Sequence, residues 1–204
     1  MTLQNRVLPT GEIVADPARG TLMGNRGILH DDTRRLGKAR WTHQAWVTCR
    51  LTFKGRRRSL MAPGRYTELF FLDEAVALAA GHRPCAECRR DAYRQFRALW
   101  AAAHGESDLK TADRMLHRAR VARNRAQIRH EAPAATLPDG AFILHAGAPC
   151  LVLGPRILRY TAGGYTAALP RPRGIATVLT PAPTRAVLAQ GYRPALHPSA
   201  ASFD

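Results

Sequence analysis

The chain has 204 residues, enough for one large domain or two small ones, and its 46% apolar and 23% charged composition excludes an intrinsically disordered chain. Lys and Arg number 31 against 15 Asp and Glu, a net charge of +16 in which Arg dominates. A guanidinium fork matches phosphate oxygens, so this surplus predicts a nucleic-acid partner, DNA before RNA; the competing explanation is a genome rich in Ala and Arg codons. No apolar run approaches the ~18 residues that a membrane span needs, and no signal-peptide core opens the chain. The expectation is a cytoplasmic protein with no membrane partner, whose four cysteines stay reduced.

Residues 1–40 are rich in turn signals, including Pro9-Thr10-Gly11, Arg19-Gly20 and Gly24-Asn25-Arg26-Gly27, and predict loops with at most short strands. The Gly amides and Arg side chains of 19–27 suit a phosphate backbone; they suit equally an irregular lead-in packed on the domain. Residues 46–53 alternate, and the pattern predicts a strand with Val47, Cys49, Leu51 and Phe53 facing the core. Lys54-Gly55 turns into Arg56, Arg57 and Arg58, expected on a solvated return strand facing phosphates. A strand over 67–72 precedes Asp73, a helix N-cap, then a short helix over 74–80 that Gly81 stops. Tyr66-Thr67-Glu68 and Gly163-Gly164-Tyr165 fit the lining of a pocket, or serve only as strand and turn residues.

A second helix runs from about Cys88 to Ala103, with Tyr93, Phe96, Leu99 or Trp100, and Ala103 along its apolar stripe. A third, predicted over 109–128, buries Ala112, Met115, Ala119, Ala122 and Ala126 and gathers Arg114, Arg118, Arg125 and Arg129 on the other side. That face contains almost no acid and reads as phosphate-tracking or simply solvated. Beyond Glu131, short apolar runs at 141–144, 150–153, 157–160 and 175–179 predict an antiparallel sheet or partial barrel. Thr184 is expected to cap a helix over 185–190, and an extended tail follows. The organisation predicted is residues 1–107, a basic helix at 108–130, and a β-rich part at 131–204.

The most informative stretch runs from Phe70 to Asp91, where an aromatic strand and an Ala-rich helix lead into Ala79-Ala80-Gly81-His82-Arg83-Pro84-Cys85-Ala86-Glu87-Cys88. It resembles, without gaps over about 22 residues, the second half of the zinc-binding N-terminal domain of the Ada DNA-repair methyltransferase family, whose turn reads AAGFRPCKRC. The resemblance covers a tenth of the chain and implies an α+β fold with a strand/helix/CxxC lobe, bound zinc and a DNA-repair context. It also implies two further cysteine ligands at positions matching Lys54 and Arg58, neither of which can ligate as that family requires. One of them is the family's methyl acceptor, so phosphotriester repair is not carried over.

Pro84 stiffens the approach to Cys85 and Cys88, and the N-terminus of the next helix favours their thiolates. Three readings stay open: zinc completed by Cys49 and by His82 or His30, a relic pair without metal, or a redox pair. Cys150 reads as a buried small apolar residue. For an enzyme, His117, His130 and Glu131 among arginines at the end of the third helix would suit phosphodiester hydrolysis, with His as base and Arg holding developing charge. No phosphate-binding loop, HExxH helix or G-x-S-x-G elbow occurs. The function classes are thus a DNA-binding protein with a structural metal lobe, a metal-assisted or His-dependent nuclease, and a module for acidic protein partners.

Overall fold

In a computed structural model, which describes residues 2–55, 59–105 and 108–203, the chain is a mixed α/β fold with two six-stranded sheets. The first sheet contains β1 (Gln4–Val7), β2 (Ile13–Ala15), β3 (Leu22–Asn25), β4 (Val47–Arg50), β5 (Leu69–Phe71) and β6 (Arg83–Pro84), in the spatial order β2-β1-β5-β3-β4-β6. It is mixed: β1 runs parallel to β5 and β4 parallel to β6, and the other pairs are antiparallel. The second is antiparallel throughout and contains β7 (His130–Pro133), β8 (Phe142–His145), β9 (Ala148–Leu153), β10 (Arg156–Thr161), β11 (Gly164–Pro170) and β12 (Ile175–Val178), ordered β11-β10-β9-β8-β12-β7. The antiparallel β-rich C-terminal part is thus present, with β7 and β11 added to the four expected strands.

Helix α1 (Glu74–Ala79) lies between the sheets with all six residues buried. That placement explains why its sequence after Glu74 is apolar on every side. Asp73 caps it by accepting from the Val76 N–H. At its other end His82 N bonds Ala77 O and Gly81 N bonds Leu78 O, a Schellman closure that needs the left-handed φ of +84° at Gly81. One apolar cluster joins Val7, Leu69, Phe71 and Val76 of the first half to Phe142, Leu151, Leu158 and Leu179 of the second. Buried polar groups tie the halves further. Asp73 also accepts from the Tyr165 hydroxyl at 2.7 Å and the His197 N–H at 3.0 Å. Glu74 pairs with Arg89 at 2.8 Å and accepts from the Tyr192 hydroxyl at 2.6 Å.

Helix α2 (Arg90–His104) buries Phe96 and Trp100 and stops at left-handed Gly105, as its period and glycine predict. Helix α3 (Leu109–Arg120) differs from expectation in length and in face. It ends at Arg120, and the chain reverses through a turn in which Ala122 N bonds Ala126 O, the Asn124 side chain accepts from Ala126 N, and Arg125 takes a φ of +69°. Its buried stripe is Ala112, Asp113, Leu116 and Arg120, whereas Met115 is exposed. Asp113 is neutralised by a two-pronged bond to Arg83, which lets polar residues occupy an inner face.

Strand β4 alternates as expected, but inverted: Trp46 and Thr48 are buried and Leu51 is exposed. The reason is α3, whose Arg120 lies over the Trp46 ring and covers that side. Arg56, Arg57 and Arg58 lie outside the described residues. Helix α4 (Ala182–Ala189) starts earlier than expected, after Pro181, leaving Thr184 buried inside it rather than capping it. The tail forms a 3-10 turn at Pro198–Phe203 packed beside β11, where Ser199 Oγ accepts from Tyr165 N.

Candidate metal centre and basic cleft

Cys49 lies on β4, and the parallel neighbour β6 delivers the CxxC turn beside it. Val47 pairs with Arg83 and Thr48 with Pro84, and Cys85 N continues the ladder by bonding Thr48 O at 2.9 Å. The turn closes with Arg89 N on Cys85 O, just before α2. The sulfurs of Cys49, Cys85 and Cys88 consequently lie within 4.8 Å of one another. Zn–S bonds of ~2.3 Å in tetrahedral geometry place sulfurs about 3.8 Å apart, so the spacing fits one ion.

The thiols share charge unevenly. A hydrogen bond from Cys49 pulls the Cys85 thiol down to about 5 against its burial, helped by the backbone N–H groups of Cys88 and Glu87. That same bond, with burial, pushes Cys49 up, and burial raises Cys88. The cluster carries its first negative charge at Cys85, and a cation binding there would displace the remaining protons.

The expected histidine ligands are elsewhere. His82 is fully buried with its ring against Trp46 and Phe71, and its Nε2 accepts from Arg26 Nε at 3.3 Å. His30 is held between the Thr67 hydroxyl and Ala62 O. Neither ring joins the three sulfurs. Among the described residues, no fourth Cys, His, Asp or Glu joins the three sulfurs.

The cysteines open onto a cavity of about 300 Å³ with apolar walls from Met23, Leu51, Phe53, Leu60 and Phe70. Tyr66 and Glu68 line it too, so the Tyr66-Thr67-Glu68 segment does border a pocket. Glu68 is 2% exposed; one carboxylate oxygen accepts from Met61 N at 2.8 Å and the other, Oε1, has no partner among the described residues. A buried carboxylate oxygen without a donor is costly unless something supplies one. Tyr165, by contrast, is structural through its bond to Asp73. Cys150 is buried in the second sheet, as expected.

The basic residues form no single helical stripe. Arg114 and Arg118 are exposed on α3, with Arg114 donating to the Thr111 hydroxyl. Arg125 and Arg129 fall beyond the helix end and instead line a cleft of about 690 Å³ with Arg26, Lys38, Arg40 and Arg120. Among the described residues, the one acid lining it is Glu12. Arg120 was legible in principle, since it continues the i, i+4 row of Ala112 and Leu116 into the core. Arg26, Trp41 and Trp46 reach the cleft only through tertiary packing.

The suggested hydrolytic trio is not assembled. His117 is on α3 against the rings of Trp41 and Trp46, with Nδ1 3.2 Å from Arg120 Nη2. His130 and Glu131 are not at a helix end but on β7, paired with Val178 and Thr177. Consecutive strand residues face opposite sides, so these two cannot share a reacting atom. No described helix is long and apolar enough to cross a membrane. Comparisons with protein-family models, curated proteins and solved structures give no match to this chain.

Proposed function

We propose that this chain is a zinc protein that binds nucleic acid, DNA in the first instance, with the metal held by Cys49, Cys85 and Cys88. The observation that carries the reading is the convergence of three sulfurs from two parallel strands and a helix-entry turn to within 4.8 Å. Soft thiolates at this spacing select zinc over hard cations. The resemblance to the Ada zinc domain points the same way, with Cys49 standing in for the cysteines missing at Lys54 and Arg58. The nucleic-acid part is supported by the net charge of +16 and by the cleft that gathers six of the cationic side chains.

A three-thiolate set differs from a closed structural site in leaving one position for an outside ligand. When bound, zinc supplies a Lewis acid at that position. The chain supplies the apolar wall that limits water and, in the same cavity, the unpartnered oxygen of Glu68 as proton acceptor. That oxygen favours a second reading, metal-assisted hydrolysis centred on this cavity rather than on His117, His130 and Glu131.

Elemental analysis of the full chain, purified from zinc-supplemented medium without chelating resin, tests the first reading. The expected result is one zinc per chain, lost in Cys85→Ser and Cys49→Ser and kept in Cys150→Ser. Zinc below about a tenth of an equivalent in the unmodified protein refutes it. Duplex binding should weaken steeply between about 50 and about 200 mM salt. Release of labelled fragments by the zinc-loaded protein, abolished in Glu68→Gln with zinc retained, decides the hydrolytic reading.

A further inference from the structure

The cleft between the turn that follows α3 and the loops of the first sheet is built around Trp46, itself 1% exposed. The guanidinium carbon of Arg26 lies 4.1 Å from the Trp46 ring centroid and that of Arg120 3.8 Å. Both arginines are buried, and Arg120 is seated by passing over Gly81, where any Cβ would come within 2.4 Å of its Cδ. Among the described residues the ion pairs are Arg83–Asp113, Arg89–Glu74 and Lys54–Glu87, so neither Arg26 nor Arg120 has a carboxylate. Their donors meet neutral acceptors: Arg26 bonds His82 Nε2 and Gly11 O, and Arg120 bonds Gly81 O and Gln44 O. Among the described residues, Arg26 Nη2 and Arg120 Nε have no partner.

Burial pushes Arg26 down to about 9 and Arg120 to about 8; the charge of Arg26 adds to the shift of Arg120, and Asp113, itself paired with Arg83, opposes it. Both remain cations at neutral pH. Two desolvated like charges are unfavourable, and stacking on Trp46 offsets only part of that. Lys38, Arg40, Arg125 and Arg129 add the same sign around them. Such a set is complementary to an anion from outside, and guanidinium forks match phosphate oxygens. Trp41, half-buried on the same cleft, offers an aromatic face beside the cations.

We propose that this cleft binds the phosphate of a nucleotide, with its base against Trp41, either as a free nucleotide or as the phosphorylated end of a strand. The second source deepens the nucleic-acid reading above; the first does not depend on it, and neither depends on zinc.

The test titrates the full chain with inorganic phosphate, adenosine 5′-monophosphate, and matched oligonucleotides with 5′-phosphate or 5′-hydroxyl ends. Binding is read by calorimetry and by tryptophan fluorescence, since Trp41 and Trp46 line the cleft. Saturable binding is expected, with the nucleotide about tenfold tighter than phosphate because of stacking. The double variant Lys38→Ala, Arg129→Ala removes exposed cations and should weaken both ligands about tenfold with an unchanged melting temperature. Trp41→Ala should weaken the nucleotide and spare phosphate. Preference for the 5′-phosphorylated strand assigns the strand end; nucleotide binding without strand binding assigns the free nucleotide and removes the nucleic-acid reading. Absence of saturation by phosphate or nucleotide at about 10 mM overturns the inference. Strand binding indifferent to the 5′ end and to the double variant overturns the strand-end source, while leaving the nucleic-acid reading intact.

Discussion

Replacing Asp73 by Ala tests whether the two sheets are held by a buried polar clasp as well as by apolar packing. The Asp73 carboxylate is 1% exposed and accepts three hydrogen bonds, from Val76 N at 2.9 Å, the Tyr165 hydroxyl at 2.7 Å and His197 N at 3.0 Å. Burial raises its pKa, and these donors oppose that rise. Loss of the helix cap costs about 1 kcal/mol. Tyr165 is 4% exposed, so its stranded hydroxyl and the His197 N–H each add about 1–3 kcal/mol. Relief of a buried charge and coupling among neighbours reduce the sum, giving an expected loss of about 3–5 kcal/mol. For a chain of this size that is about 8–15 °C in melting temperature. Asp73→Asn keeps the capping oxygen and should lose about half as much. Urea unfolding followed by circular dichroism and tryptophan fluorescence measures the loss, and the two signals should coincide because the clasp and the apolar cluster span both halves. A loss below about 1 kcal/mol, or two separated transitions, refutes the reasoning.

Other expectations follow from single groups. Burial, with the charges of Arg26 and Arg120, holds His82 neutral well below its ordinary pKa of 6.5. Below pH 6.5 the unfolded chain takes up a proton that the folded chain refuses, so stability falls with pH, by about 2 kcal/mol between pH 7 and pH 5 from this residue. His82→Phe should flatten that slope in urea titrations at the two pH values; an unchanged slope assigns the effect to other groups. Asp113→Ala strands buried Arg83 and should cost about 3–5 kcal/mol, with Arg83→Met, Asp113→Leu recovering most of it in equilibrium unfolding. Gly81→Ala forces a strained φ and a clash with Arg120, so it should both destabilise the fold and weaken phosphate binding in the cleft. An effect on stability with unchanged phosphate affinity would separate Arg120 from the ligand.

Signals that act within a few residues were read correctly from the sequence alone: the Asp73 cap, the Gly81 stop of α1, the stripe and Gly105 stop of α2, and the antiparallel hairpins from Phe142 to Thr161. Each depends on local sterics or on a period that the chain carries by itself. The CxxC pair was equally visible, and Cys49 was one candidate partner for it, as a cysteine on a predicted preceding strand. The rest required three-dimensional neighbours. Period 2 marks two faces of β4 but does not say which one α3 will cover, and the covered face is that of Trp46 and Thr48 rather than that of Leu51. Helix α3 carries no Gly or Pro where it stops; the Asn124–Arg125 turn is selected by the docking of Arg120 onto Gly81 O and Trp46. Glu68 beside the cysteines, and Arg26 with Arg120 in the cleft, come from segments far apart in the chain. Their proximity is a property of sheet order and helix docking, which are decided by the sum of burial over both halves rather than by any local run of residues.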